Sequence, residues 1–407
     1  MITIITLCLL FLSIFAFFVD KHILSVFLLL LASSRSIDGH VIICCIGFIL
    51  TLHCMRMDFS KIGKTVWLIS ALFICYQLIV LAVYPYKIYY SYPISYLNAY
   101  LMFLATISIK WDREKITQFT LAYMAILIFW GLLEFMVVSP LRIAGPFHFA
   151  TLYAVVLVSI WTIWLSDSII NNDYPKIIMV TSLVLLAVLL SGTRMGLLGM
   201  VLGLCLGGFS KILIANFKRA FFTKIFFGIA LLACVLLLVL IVWLLIPDDL
   251  LIKRNFKTIL SMKLDSSNLG RVFSWVAAID IIPKHTFWGI GSGNFNTYVQ
   301  KFLQENGIQL KGSLPHAHNL FLIVLSEHGL IGFTVIGLIV FMCTFKLFYR
   351  IINRSQNSMT YAILNGFIVM MFMGMFDATP LTLGTLCFGG WLMGISFKIS
   401  NMDIARL

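Results

Sequence analysis

Three arginines are the residues of this 407-residue chain whose surroundings most suggest chemistry. Arg194 lies between two apolar runs, Arg271 begins the amphipathic stretch 271–279, and Arg142 lies in a short loop. A cation beside hydrocarbon usually has a partner or a role, and guanidinium binds phosphate through paired hydrogen bonds. Each arginine alone is also explained as an interfacial anchor or a solvated helix start. Together they predict an anionic ligand.

A His-x-His pair, His316 and His318, precedes a long apolar run and allows three interpretations. A metal site would need further ligands, and the nearby His285, Glu327 and His328 do not form a recognised spacing. A buried, hydrogen-bonded histidine is the usual structural role. A general base is the third interpretation, because imidazole can take a proton from a hydroxyl group near neutral pH. A base close to arginines would suit a lipid diphosphate and an alcohol nucleophile.

Two other kinds of site are excluded by context. Gly289, Gly291 and Gly293 are followed by no Lys-Ser/Thr and lie in no βαβ unit, so they do not form a P-loop or a dinucleotide site. These glycines more naturally permit a tight turn. The chain contains no Asp-x-Asp, so a metal-bound nucleotide-sugar donor would have no obvious ligands. We therefore expect neither a metal nor a cofactor.

The composition indicates which elements position these residues. Apolar residues make up 61% of the chain and charged residues only 11%, too few to cover a soluble surface. The net charge of +13 is spread in small groups between apolar runs, which argues against a nucleic-acid partner. The nine cysteines lie in or beside apolar runs and form no CxxC pair, so no disulfide scaffold is expected. An all-α, polytopic membrane protein remains.

Apolar runs long enough to suggest membrane helices recur along the whole chain, with about 20 residues needed for each crossing. We predict about 12 or 13 spans, since the first two runs form either one span broken at Asp20-Lys21 or a tight hairpin. The N-terminal run lacks a basic leader and a cleavage site, so it is predicted to be a retained span. The runs lie near 2–19, 22–34, 40–55, 65–83, 94–109, 117–138, 148–166, 177–190, 195–213, 224–246, 319–345, 360–375 and 381–397.

Charge predicts the orientation. One set of short loops and the C-terminal tail holds 16 lysines and arginines, whereas the opposite short loops hold 4, namely Arg35, Lys87, Arg142 and Arg194. The positive-inside rule places the first set in the cytoplasm. The chain then divides into membrane helices over 1–246, a long outer loop over 247–318, and membrane helices with a cytoplasmic tail over 319–407. In the loop, Asn268 is expected to cap a helix that ends before Pro283.

The ordered motifs resemble a known family. They are Ser-Gly-Thr-Arg194, Arg271 with Trp275, Gly289-Ile-Gly-Ser-Gly293-Asn-Phe295, His318-Asn319-Leu320, and Glu327-His-Gly329-Leu-Ile-Gly332. This set, with one long outer loop before the last spans, is similar to the O-antigen polymerase and ligase superfamily.

The resemblance implies a metal-independent glycosyltransferase of the bacterial inner membrane, working on the periplasmic face. Its donor would be an undecaprenyl-diphosphate-linked oligosaccharide, and a chain-length regulator and a flippase would be further partners. Arg194 and Arg271 match as diphosphate ligands and His318 as the general base. His316 lies outside the His-Asn motif and is a secondary binding residue, and Arg142 is included on topology alone.

The acceptor divides the superfamily into polymerases and ligases. A polymerase extends another lipid-linked repeat unit, whereas a ligase transfers glycan to lipid A-core. The short loops offer little extra surface for a large core oligosaccharide, which favours a polymerase. A flippase or transporter is the alternative from another class. It would carry polar residues within its spans, whereas the charges of this chain concentrate at span ends.

Overall fold

The computed structural model describes residues 2–35, 40–55, 64–83, 91–138, 142–147, 149–214, 266–307, 314, 316–352, 357–376 and 383–402. Over these ranges the chain is all-helical, as predicted, and contains no strand. The predicted span 224–246 lies outside the described residues. Residues 247–265, 308–313 and 315 of the predicted outer loop also lie outside them.

The described helices follow the apolar runs closely. They are α1 (Ile2–Phe18), α2 (His22–Arg35), α3 (His40–Met55), α4 (Lys64–Val83), α5 (Ser91–Ser108), α6 (Arg113–Val138), α7 (Ala150–Ile170), α8 (Tyr174–Ser191), α9 (Arg194–Ile214), α10 (Ser266–Lys284), α11 (Phe295–Glu305), α12 (Leu320–Ile352), α13 (Ser358–Gly374) and α14 (Leu383–Met402). Among the described residues, five helices are long and apolar enough to cross a membrane: α6 to α9 and α12. The total of about 12 spans stays a prediction.

Two expectations about α10 are wrong. The helix begins at Ser266, two residues before the predicted cap Asn268, and it continues through Pro283 to Lys284. Proline inside a helix removes one backbone hydrogen bond and crowds the carbonyl group four residues earlier, but here only one helical residue follows it.

The chain divides into two compact units, each built from separate stretches of sequence. The first contains Met1–Ile109, Lys263–Phe345 and Gly374–Gly394, and the second contains Lys110–Met262, Lys346–Met373 and Ile395–Leu407. The division at residues 246 and 318 stays a prediction.

In the first unit, α1 and α2 form a tight hairpin rather than one broken span. Asp20 adopts a left-handed backbone with φ of 58° at the turn. The hydroxyl of Ser13 on α1 donates to the carbonyl oxygen of Ser25 on α2 at 3.0 Å. The hydroxyl of Ser25 also lies 2.8 Å from Nε2 of the buried His53, which joins α3 to the hairpin.

The second unit is built around α7, which is buried along nearly its whole length. Helix α9 approaches it through glycines: a Cβ atom on Gly203 would lie 3.1 Å from the ring of Trp161. Such close helix contacts through small residues are common in membrane proteins. At the end of α7 the buried carboxylate of Asp167 accepts from Arg113 Nε at 3.0 Å and from the Ser358 hydroxyl at 2.5 Å.

Candidate active site

The loop helices of the first unit share one apolar core with the start of α12, which we call the loop core. Helix α10 contributes Ala277, Ala278 and Ile281, while α11 contributes Phe295, Val299 and Leu303. Buried Ala317 and the first turns of α12, at Ile323 and Val324, complete it. Because His316 and His318 flank Ala317, this core fixes the histidine pair relative to both loop helices.

Helix α12 is broken within the Glu327-His328-Gly329 motif. Gly329 has φ of 62° and ψ of −169°, which interrupts the helix. The backbone of the glycine turn, residues 289–293, pairs with the break: Ile290 N donates to Ser326 O, and Gly291 N to Glu327 O, both at 2.9 Å. On the other side of the break, Leu330 N donates to Thr286 O at 2.7 Å. These backbone hydrogen bonds hold residues 286–291 against the break in α12.

Two glycines make this docking possible. Gly289 has φ of 71°, and a Cβ atom there would collide with the carbonyl group of Glu327. A Cβ atom on Gly329 would collide with the carbonyl group of Phe287 and lie 2.5 Å from Gly289 N. Both positions need left-handed backbone and close backbone contact, which only glycine provides without strain. The expectation that the 289–293 glycines permit a tight turn is confirmed.

Glu327 holds the glycine turn from inside. Its buried carboxylate accepts a hydrogen bond from Gly293 N at 3.0 Å and another from the backbone of Phe295, at the start of α11. The N–H groups at the start of a helix have no acceptor within the helix, and here the side chain of Glu327 accepts from them. These N–H groups are therefore already occupied, which agrees with the exclusion of a P-loop.

His328 ties the same turn to the N-terminal helices. Its buried ring lies within hydrogen-bonding distance of three hydroxyl groups: Tyr76 at 2.6 Å from Nδ1, and Tyr96 at 3.2 Å and Ser292 at 3.3 Å from Nε2. Tyr76 belongs to α4 and Tyr96 to α5. From the sequence, His328 is a candidate only for a metal site, although it belongs to the Glu-His-Gly motif that carries the resemblance.

His318 lies just before α12 in an unusual backbone conformation. Its φ of 47° is left-handed, which is uncommon for a residue with a Cβ atom and is often found at functional sites. Asn319 fixes this geometry, since its Oδ1 accepts from the backbone N–H groups of Phe321 at 2.9 Å and Leu322 at 3.0 Å. Its Nδ2 donates to Met375 O at 2.7 Å.

The two histidines of the pair are close together. Their ring centroids are 4.4 Å apart, and both side chains are partly exposed, whereas Ala317 between them is buried. Within the described residues, no group of three His, Cys, Asp or Glu side chains could hold a metal ion. His285 packs instead against the ring of Tyr298, with centroids 5.3 Å apart.

Arg271 belongs to the same unit as the histidine pair. It is half-buried in the first turns of α10, next to Gly270, where a Cβ atom would lie 3.2 Å from the side chain of Leu314. Leu314 lies two residues before His316 and packs on the loop core. The start of α10 therefore lies against the segment that leads to the histidines.

Arg142 and Arg194 belong to the second unit. Arg142 donates to the carbonyl groups of Ser191 at 2.9 Å and Gly192 at 3.2 Å, and so caps the end of α8. Arg194 begins α9, directly after buried Thr193, whose hydroxyl lies 2.8 Å from that of Ser191. A helix N-terminus and a guanidinium group both favour an anion. The substrate roles of both arginines stay predictions.

Comparison with known proteins finds a similarity in the central part of the chain. Residues 178–337 match the model of a protein family described as O-antigen ligase. This range contains Arg194, Arg271, both histidines of the pair and the Glu-His-Gly motif, and it leaves out Arg142. None of the curated proteins compared matches the chain. The family match confirms the resemblance carried by the motifs and supports the O-antigen polymerase and ligase superfamily for residues 178–337.

Proposed function

We propose that the protein is an O-antigen polymerase that joins undecaprenyl-diphosphate-linked oligosaccharide repeat units during lipopolysaccharide biosynthesis. The family match carries this proposal, because the matched residues contain Arg194, Arg271 and His318 together. The match supports a glycosyltransferase of the O-antigen polymerase and ligase type in general. The polymerase, its donor and its independence of metal ions are our proposals.

In the proposed reaction, His318 takes the proton of an acceptor hydroxyl group. The oxygen atom attacks the anomeric carbon of the donor sugar, the bond from that carbon to the diphosphate breaks, and undecaprenyl diphosphate leaves. The left-handed backbone of His318 and the capped start of α12 support this role, since both hold the partly exposed ring in a defined place. A base must be held within hydrogen-bonding reach of the hydroxyl group.

Arg271 and Arg194 would bind the diphosphate and stabilise the charge that develops on it as it leaves. Charge-assisted, paired hydrogen bonds from guanidinium suit this task. The half-buried position of each arginine supports the assignment, because water screens a half-buried charge less than an exposed one. His316 and Arg142 are proposed as secondary binding residues, and the helix-capping contacts of Arg142 make it the weaker of the two.

We place the protein in the bacterial inner membrane, with the loop 247–318 and the reaction on the periplasmic face. The unequal distribution of lysine and arginine between opposite loops supports this orientation. A reporter fused to the C-terminus should be active only in the cytoplasm. Activity of that fusion in the periplasm would contradict the orientation. A chain-length regulator and a flippase are proposed partners in the same process.

A ligase is the second candidate, and the description of the matched family as O-antigen ligase favours it. The glycan ladder of a deletion strain separates the two. Loss of long chains with retention of one-repeat lipid A-core indicates a polymerase. Loss of all O-antigen from lipid A-core, with accumulation of lipid-linked polymer, indicates a ligase and would overturn our first choice.

A further inference from the structure

Helix α10 presents an apolar stripe on its outer face. The stripe consists of residues spaced three and four apart, which lie on one side of a helix. Their exposed fractions are 36% for Leu269, 42% for Val272, 46% for Val276 and 61% for Ile279. The opposite face, with Ala277, Ala278 and Ile281, is buried in the loop core.

Both faces of α10 are therefore apolar, and its charged groups lie on the flanks between them. On one flank the side chains of Asp280 and Lys284 form an ion pair at 2.6 Å. Arg271 lies on the other flank, one residue before Val272. A helix that buries one apolar face in protein and exposes another is not built for water on its outer side.

Helix α11 of the same unit shows the opposite pattern. It buries Phe295, Val299 and Leu303 in the loop core and exposes Thr297, Gln300, Lys301, Gln304 and Glu305. This is the ordinary arrangement of a helix that faces water. Two neighbouring loop helices thus share one core but are suited to different surroundings.

The stripe on α10 continues into the surface of a candidate membrane span. Phe287 and Trp288, which follow α10, are 64% and 37% exposed. Backbone hydrogen bonds from Leu330 to Thr286 and from Ile331 to Phe287 place this segment beside α12. Leu330 is itself 48% exposed, and α12 is long and apolar enough to cross a membrane. The apolar surface of the span therefore extends through Phe287 towards α10.

We propose that α10 lies in the membrane interface, with Leu269, Val272, Val276 and Ile279 inserted into the hydrocarbon of the bilayer. Helix α10 is not among the candidate spans of the described residues, so it would lie on the membrane rather than cross it. Trp288 would mark the interfacial level, where tryptophan is enriched. If the proposed function is also correct, this placement holds Arg271 at the depth of lipid headgroups, where a lipid diphosphate would be.

The test measures which solvent reaches each helix in the full-length protein in lipid nanodiscs. A nitroxide label is attached to an unnatural ketone-bearing residue, which avoids the nine native cysteines. Val276 or Ile279 on α10 is replaced in separate proteins, with Gln300 or Gln304 on α11 as matched controls. Collision rates with oxygen, which concentrates in hydrocarbon, are compared with those of a water-soluble nickel chelate.

We expect oxygen collisions to dominate at 276 and 279 and nickel-chelate collisions to dominate at 300 and 304. Dominant nickel-chelate collisions at 276 and 279 would overturn the proposal, because the stripe would then face water. Shielding from both reagents at 276 and 279 would also overturn it, because protein would then cover the stripe. The four positions are exposed, so the labels should leave the fold intact. No transfer reaction is measured, so failure of the proposed function would not affect the result.

Discussion

The carboxylate of Glu327 accepts a hydrogen bond from the backbone N–H of Gly293 at 3.0 Å. This contact, together with the one from Phe295, makes Glu327 the internal hydrogen-bond acceptor for the glycine turn. The turn therefore depends on a side chain more than thirty residues later in the chain. Glu327 holds the start of α11 and the break in α12 together. Both helices contribute to the loop core, which also contains Ala317 between the two histidines.

Replacing Glu327 tests its role as the hydrogen-bond acceptor of the glycine turn. Glu327→Gln keeps an oxygen acceptor for Gly293 N, whereas Glu327→Ala leaves buried N–H groups without a partner. A buried unsatisfied polar group costs about 1–3 kcal/mol. We expect a clearly lower melting temperature for Glu327→Ala and a smaller change for Glu327→Gln, measured by thermal unfolding in detergent. Equal losses in the two variants would argue against the hydrogen-bonding role.

Gly289→Ala tests the backbone contact at the helix break. Gly289 and Gly307 both have positive φ, at 71° and 66°, but a Cβ atom on Gly307 would meet nothing within 4 Å. Gly307→Ala should therefore lower the free energy of unfolding only by the backbone strain, about 1–2 kcal/mol. Gly289→Ala adds a collision with the Glu327 carbonyl group and should lower the amount of folded protein in the membrane much further. Similar folded amounts for the two variants would contradict this view of the break.

The sequence predicted some parts of this arrangement well, because their causes are local. Apolar runs specify helices, and the glycines at 289, 291 and 293 permit the positive φ angles of a turn. The cluster around His328 could not be predicted in this way. Tyr76 and Tyr96 are more than two hundred residues away from His328, and only the packing of α4 and α5 brings them to its ring. The predicted ends of α10 were wrong because neither a capping residue type nor a proline fixes the end of a helix by itself.

His318→Ala should lower turnover by about 100-fold or more, the usual size of a general-base contribution. Alanine keeps a Cβ atom, so the left-handed backbone is no less strained than before. His318→Asn is a useful second variant, because asparagine tolerates this conformation better. Both variants should reach the membrane in normal amounts. His316→Ala should be milder, and near-normal turnover of His318→Ala beside an inactive His316→Ala would mean that the base is His316.

Arg271→Ala and Arg194→Ala should each reduce transfer by weakening the bonds to the diphosphate. A hydrogen bond to a charged group is worth about 1.5–3 kcal/mol. Lysine at either position should restore activity only partly, since it keeps the charge but loses the paired donors. Lys301→Ala is the matched control, because Lys301 is an exposed cation on α11 that faces a surface carboxylate, Glu305, at 3.8 Å. An effect of Lys301→Ala equal to that of the arginine variants would indicate a general effect of charge.

Polymerase activity itself can be measured by reconstituting the purified protein with an undecaprenyl-diphosphate-linked repeat unit. Lipid-linked chains of two or more repeats should form in liposomes, with release of undecaprenyl diphosphate in equal amount for each bond made. The reaction should continue in the presence of a chelator and should nearly stop with His318→Ala. Absence of longer chains with the intact protein would contradict the polymerase reaction, and equal chain growth by the intact protein and His318→Ala would contradict the role of His318 as the base.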